Sequence, residues 1–179
     1  KYHAILGGGP CYIVHPSDPA VALLALNASV TVRGPGGEKQ VPLSEFYLLP
    51  KQDPHQETSL AADELVTGVV IPSPDQGARG TYIKVAERRT WDFGLVSAAV
   101  QLTLQGDMVG QARIALGGVA PVPWLAEEAA QTLVDQQLND DTIEQAARAA
   151  TEGARPLEDN GYKIDLVQGV IREALQKLR

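Results

Sequence analysis

Between residues 81 and 104 the side chains alternate at period two in two successive runs, a third run follows to residue 117, and beyond residue 120 the apolar spacing becomes helical. Few features constrain a fold more. Period two puts neighbouring residues on opposite faces of a strand, whereas a 3.6-residue period lines them along one side of a helix. Thr81, Ile83 and Val85 alternate with Tyr82, Lys84 and Ala86, and Val96, Ala98, Val100, Leu102 and Leu104 alternate with Ser97, Ala99, Gln101 and Thr103. Gln105-Gly106-Asp107 turns the chain and residues 109–117 return, which predicts a three-stranded antiparallel meander. Helices follow. Leu125, Ala129 and Leu133 mark one, Ile143, Ala146, Ala147 and Ala150 a second, and Val167, Val170, Ile171, Ala174 and Leu178 a terminal third. A sheet that buries one face needs such cover, so the fold class is α+β.

Upstream of this unit, Pro72, Pro74, Gly77 and Gly80 punctuate a linker, dividing the chain into residues 1–76 and 77–179. The first unit opens with an apolar run from Cys11 that predicts a strand. A helix start follows: Ser17 or Asp18 can accept hydrogen bonds from the first free N–H groups, Pro19 suits the first helical position, and Val21, Leu23, Leu24 and Leu26 supply the apolar side. A helix N-terminus of this kind is a natural place for a polar group of a nucleotide or flavin. Val30 and Val32 alternate with Thr31 and Arg33, Gly34-Pro35-Gly36-Gly37 makes a turn, and residues 38–41 return as a hairpin. Residues 43–47 predict a short turn or 3₁₀ piece, 51–63 a polar loop, and 65–71 a further strand.

Composition narrows the function classes. The 15 basic and 22 acidic side chains give a net charge of −7, against the concentrated Lys and Arg that a phosphate backbone demands. The apolar runs are broken by polar residues well before membrane-spanning length. The single cysteine excludes an internal disulfide framework and is compatible with a reducing cytoplasm. His3, His15 and His55 share no metal-ligand spacing, and the signatures of zinc and serine hydrolases are missing. Asp140-Asp141 suits the dipole of a helix start. Trp91 and Trp124 are expected to be packing anchors.

The order of short motifs carries a family resemblance. His15-Pro16-Ser17-Asp18-Pro19 is followed by Asp63-Glu64-Leu65-Val66, Ile71-Pro72, Tyr82-Ile83-Lys84, Arg88-Arg89 with Asp92, Leu116-Gly117-Gly118-Val119-Ala120-Pro121, and Asp159-Asn160-Gly161-Tyr162-Lys163. Together they cover nearly the whole chain. In this order they resemble the FAD-binding medium subunit of the molybdenum hydroxylases, the xanthine dehydrogenase, carbon monoxide dehydrogenase and aldehyde oxidoreductase group. The resemblance implies the second half of that subunit's FAD-binding domain, followed by its C-terminal α+β domain. The family's glycine-rich pyrophosphate loops have no counterpart here, and Gly7-Gly8-Gly9-Pro10 reads as a mobile turn. The chain, which starts at Lys1, therefore looks like a C-terminal portion that would hold FAD weakly by itself.

The resemblance further implies an electron relay. Substrate is oxidised at a molybdopterin centre on a large subunit, electrons pass through [2Fe–2S] clusters of a small subunit, and FAD hands them to an external acceptor. By the same token Asp18, with Ser17, contacts the ribityl and diphosphate stretch of FAD. Tyr82 packs near the isoalloxazine, Lys84 places a cation beside it, and Leu65 and Val66 line the ring. Arg88, Arg89 and Asp92 occupy a loop at the flavin edge, where Arg88 and Asp92 can also simply pair. One branch of the family carries an additional [4Fe–4S] cluster. The cysteine at position 11 and the stretch Tyr2-His3-Ala4-Ile5 look like that branch, which makes Cys11 a cluster ligand in a longer parent or else a small apolar residue. Relatives work in the cytoplasm or the periplasm. The resemblance also leaves the flavin-side wall open, where a second copy of the chain can cover it. The other reading is a cofactor-free interaction module whose helical unit, residues 120–179, docks partner subunits.

Overall fold

The computed structural model describes residues 3–88 and 90–179. The expectations for Lys1, Tyr2 and Arg89 fall on residues outside that description. The architecture is α+β, with two antiparallel sheets and five helices among the described residues. A first helix, α1 (Asp18–Ala25), leads into the hairpin β1 (Ser29–Gly34) and β2 (Gly37–Pro42). The single-turn helix α2 (Leu43–Phe46) and strand β3 (Leu65–Val70) follow, and the small sheet has the order β2-β1-β3. Then come β4 (Ala78–Val85), β5 (Val96–Gln105), β6 (Met108–Gly117) and a two-residue strand, β7 (Trp124–Leu125), in a sheet of order β4-β5-β6-β7. Helices α3 (Glu127–Gln131), α4 (Asp140–Ala149) and α5 (Tyr162–Leu178) complete the chain.

The larger sheet is covered on both faces, and this decides where the site forms. Val96, Ala98, Val100 and Leu102 of β5 face Ile143, Ala147, Val167, Ile171 and Leu175 of α4 and α5 in the main core. Burying each of the Val, Leu and Ile side chains among them contributes roughly 1.5–3 kcal/mol. The alternate residues are buried as well: Ser97 is 2% and Ala99 3% exposed. Ala99 and Ala115 join Val21, Leu24 and Ala25 of α1 in a second cluster, so α1 lies on the opposite face of the sheet from α5. Small side chains in this row let the helix approach. A Cβ added to Gly117 would stand 2.7 Å from Val21 and 2.4 Å from the Ser97 hydroxyl.

Three local expectations are corrected. The meander has a fourth strand, because residues 124 and 125 pair with Leu116 and Ala115. The run from Cys11 forms no strand. It is held by single bonds instead: Ala4 N–H donates to Tyr12 O and His15 N–H to Ala120 O. Trp91 is no packing anchor, being 95% exposed, whereas Trp124 packs against the main core. The start of α4 follows the expectation for an acidic first turn. Asn139 caps it, accepting from Asp141 N and Thr142 N at 3.0 Å each, with Asp140 and Asp141 in the first turn. Glu144 then ties α4 to α5, accepting from Arg172 Nε at 2.5 Å and from Arg148 Nε at 2.9 Å. No helix among the described residues is long and apolar enough to cross a membrane.

Candidate functional site

The N-terminus of α1 supplies the first component. Ser17 caps it, its Oγ accepting from Ala20 N–H at 3.2 Å, and Pro19 occupies the first turn. Asp18 is thereby held at the helix start with its carboxylate turned to β4. Tyr82 and Lys84 lie two residues apart on that strand and so share a face, while Ile83 between them points into the main core. Tyr82 Oη donates to Asp18 Oδ1 at 2.8 Å, and Lys84 Nζ donates to Asp18 Oδ2 at 2.6 Å. Lys84 Nζ also donates to the Asp92 carbonyl at 2.7 Å, drawing in the loop that follows β4.

That loop is organised by its own polar groups. Arg88 N–H donates to Asp92 Oδ2 at 3.0 Å and the Arg88 guanidinium to Trp91 O at 2.7 Å. The Arg88 and Asp92 charges stand 3.8 Å apart, so they do pair, as an exposed contact worth about 0–1 kcal/mol. Trp91 has a left-handed backbone, φ 54°, and with Phe93, 71% exposed, it presents aromatic surface beside Asp18. A cleft of about 770 Å³ lies between this loop and the helix start, bordered by Pro16, Asp18, Arg88 and Trp91. A cavity of about 330 Å³ adjoins the same carboxylate, with Val14, Val21 and Phe93 as apolar wall and His15, Ser17 and Ser97 as polar groups.

The electrostatics keep the tyrosine a donor. Burial is the main reason that the Tyr82 hydroxyl is pushed up to about 12; a hydrogen bond with Ser97 acts against this, and the Asp18 carboxylate adds to it. Burial also lowers the pKa of His15, against the attraction of Glu57, and so favours its neutral form. Its Nε2 is buried without a hydrogen-bond partner among the described residues. An acceptor flanked by two donors, beside a cavity with apolar walls, fits a ligand with a flat apolar body and a polar edge. FAD is such a ligand, and these residues suit its ring and hydroxylated chain.

Ser17, Asp18, Tyr82 and Lys84 therefore converge as the motifs suggested. Leu65 and Val66 stand apart. They lie on β3, an edge strand of the small sheet, are 72% and 43% exposed, and line neither cavity beside Asp18. Cys11 is partly buried in irregular backbone. Ser97 was not anticipated. It lies directly opposite Lys84 in the β4–β5 register, and paired residues share a face, so the alternation together with the register would have revealed it.

Comparison with known proteins adds an independent line. Residues 81–178 match the family model described as CO dehydrogenase flavoprotein C-terminal domain, and residues 1–74 match FAD binding domain in molybdopterin dehydrogenase. The aldehyde oxidoreductase FAD-binding subunit PaoB of Escherichia coli is 36% identical over 185 residues, covering 100% of this chain and 54% of its own length. The carbon monoxide dehydrogenase medium chain of Afipia carboxidovorans is 27% identical over 183 residues, covering 100% of this chain and 62% of its own. The chain thus spans little more than half the length of these relatives. Among solved structures, carbon monoxide dehydrogenase from Hydrogenophaga pseudoflava superposes with a TM-score of 0.78 at 29% identity, covering 90% of this chain and 57% of that one.

Proposed function

We propose that this chain, which belongs to the family of FAD-binding medium subunits of molybdenum hydroxylases, uses Asp18, Tyr82 and Lys84 as one wall of its flavin site. The observation that carries the reading is the double hydrogen bond on Asp18, made by residues 64 and 66 positions away in sequence. In this reading FAD, when bound, supplies the electron-accepting ring. Asp18 accepts hydrogen bonds from the hydroxylated chain of the cofactor, with Ser17 holding the helix start in place. Tyr82, its hydroxyl kept protonated, offers an aromatic face and a donor. Lys84 sets a positive charge at the polar edge and so shifts the redox potential of the ring. Leu65 and Val66 belong to the same proposal as apolar surface on the adjoining sheet.

The wider role is proposed on family membership. Electrons from a molybdopterin-binding large subunit pass through a [2Fe–2S] small subunit to this flavin and then to an external acceptor, in the cytoplasm. The match boundaries at residues 74 and 81 support two units meeting at the 76/77 linker. The exposed row Leu65, Val66, Val69 and Ile71 supports the idea that another chain, or a second copy, covers β3. A [4Fe–4S] cluster held by Cys11 would need three further thiolates, and this is the chain's only cysteine. The alternative of a cofactor-free docking module draws less support, because α4 and α5 turn their apolar sides onto their own sheet.

The test is a FAD titration of the complete flavoprotein with Asp18→Ala and Lys84→Ala. Each change removes a charge-assisted hydrogen bond worth roughly 1.5–3 kcal/mol, so each is expected to weaken binding by about tenfold or more. Wild-type affinity in both variants would remove the assignment.

A further inference from the structure

The motif Asp159-Asn160-Gly161-Tyr162-Lys163 takes no part in the proposed flavin wall, yet it holds two of the most deeply buried polar side chains in the molecule. Asn160 and Lys163 are each 1% exposed. Lys163 Nζ donates to Gly118 O at 2.6 Å and to His3 O at 3.0 Å. Asn160 Nδ2 donates to His3 O at 3.0 Å and to Ala4 O at 3.3 Å, while its Oδ1 accepts from Leu157 N–H at 2.6 Å. Burial pushes the Lys163 ammonium down to about 8, so at neutral pH it is still charged and donating.

The groups it holds lead to the site by direct contact. Gly118 has a left-handed backbone, φ +73°, and sits so close to the next chain segment that a Cβ there would lie 2.6 Å from Leu95 O and 2.8 Å from Gly94 O. Gly94 in turn packs on the Lys84 stem, its own Cβ position lying 3.6 Å from Lys84 Cγ. Lys84 then reaches Asp18 and the Asp92 carbonyl. A second route runs through the adjacent backbone. Val119 O accepts from Ile5 N–H and Leu6 N–H, and Ala120 O accepts from His15 N–H, three residues before Asp18. Gly117 and Gly118 also line the cavity beside Asp18.

We propose that Lys163, assisted by Asn160, is a positioning residue for the flavin wall, fixing the Gly117–Gly118 turn against which the Lys84 side chain and the approach to Asp18 are set. The inference rests on the flavin reading above and deepens it. A helix on the far face of the sheet thereby tunes a site that it does not touch. An ammonium on carbonyl oxygens suits this task, because several donors converge on backbone groups of separate segments and fix their relative position.

The experiment uses the complete flavoprotein with Lys163→Met, and with Leu175→Ala as a control that weakens the same helix in its core. FAD affinity and flavin midpoint potential are measured beside hydrogen exchange of the Ile5, Leu6 and His15 amides. Lys163→Met is expected to speed exchange at those amides, to weaken FAD about tenfold and to shift the potential, a size usual for substitutions acting through packed neighbours. Leu175→Ala should leave potential and affinity unchanged. Equal flavin properties in the two variants overturn the proposal and make Lys163 a stability residue only. If Lys163→Met does not fold, Asn160→Ala, which retains the ammonium, is read by the same criteria. A wild-type flavoprotein that binds no FAD overturns the flavin reading itself, and this inference with it.

Discussion

Lys84 Nζ stands 2.6 Å from Asp18 Oδ2, joining the second strand-rich unit to the first helix of the chain across 66 residues of sequence. The pair is only partly shielded, with side-chain exposures of 27% and 38%. Its value for stability is therefore small, and its value for placing charge is larger. Tyr82 on the other carboxylate oxygen fixes the orientation of Asp18, so the three side chains act as one unit.

Removing the charge of Asp18 is expected to lower the Tyr82 pKa from about 12 towards the ordinary 10.0. The carboxylate disfavours a phenolate beside it, both by charge and by accepting the hydrogen bond that the neutral phenol donates. Asp18→Asn is compared with wild type by ultraviolet-monitored alkaline titration. A tyrosine that titrates unchanged in the variant would mean that burial alone sets its value.

Lys84→Ala should cost about 0–1 kcal/mol of folding stability, as expected for a partly exposed pair. It should nonetheless loosen the loop after β4, because the same ammonium holds the Asp92 carbonyl. Hydrogen exchange or limited proteolysis across residues 86–94 reads this directly. Unchanged protection there would show that Arg88 organises the loop by itself.

Two left-handed glycines separate backbone strain from crowding. Gly118 and Gly153 have φ of +73° and +74°, but a Cβ on Gly153 meets open space whereas one on Gly118 meets backbone oxygens within 3 Å. Both Ala variants carry the conformational cost of about 1–2 kcal/mol. Gly118→Ala should lose a further 1–3 kcal/mol, roughly the cost of overpacking. Urea unfolding of the two variants checks the difference.

The Glu144 staple predicts a specific acid limb. Hydrogen bonds from Arg172 and then Arg148 lower its carboxyl from 4.5 to about 2. Since the folded state binds its proton less readily than the unfolded chain, this stabilisation is fully present above pH 4.5 and fades as pH falls towards 2. Thermal unfolding of wild type and Glu144→Gln should differ most above that window and converge below it. Parallel curves would mean that the carboxylate charge is not linked to folding.

Local patterns in the sequence were enough for most of the architecture. The alternation through β4 and β5, the Gly34 to Gly37 turn and the apolar stripe of α5 each state their geometry within a few residues. Ser17, Asp18, Tyr82 and Lys84 were also legible, from the helix start, the period of the strand and the order of motifs. The run after Cys11 misled, because four apolar residues read as a strand whether or not a partner strand exists to complete the ladder. Trp91 misled for a related reason: a large aromatic side chain is expected in a core unless the loop that carries it is held outward, as Arg88 and Asp92 hold it here.

The sequence by itself determined strands β1 to β6, helices α1, α4 and α5, and the side of β4 on which Tyr82 and Lys84 fall, since these follow from periodicity and capping over short distances. Only the tertiary structure decided that α1 covers the second face of the larger sheet. Ser97, Ala99 and Gly117 are small enough to face either solvent or a helix, and no local rule separates the two. It also decided that Asn160 and Lys163 hold His3, Ala4 and Gly118, and that Asp18 meets a lysine 66 residues away. Such pairings are set by where packed elements bring backbone oxygens and charges together, and that placement depends on the whole chain at once.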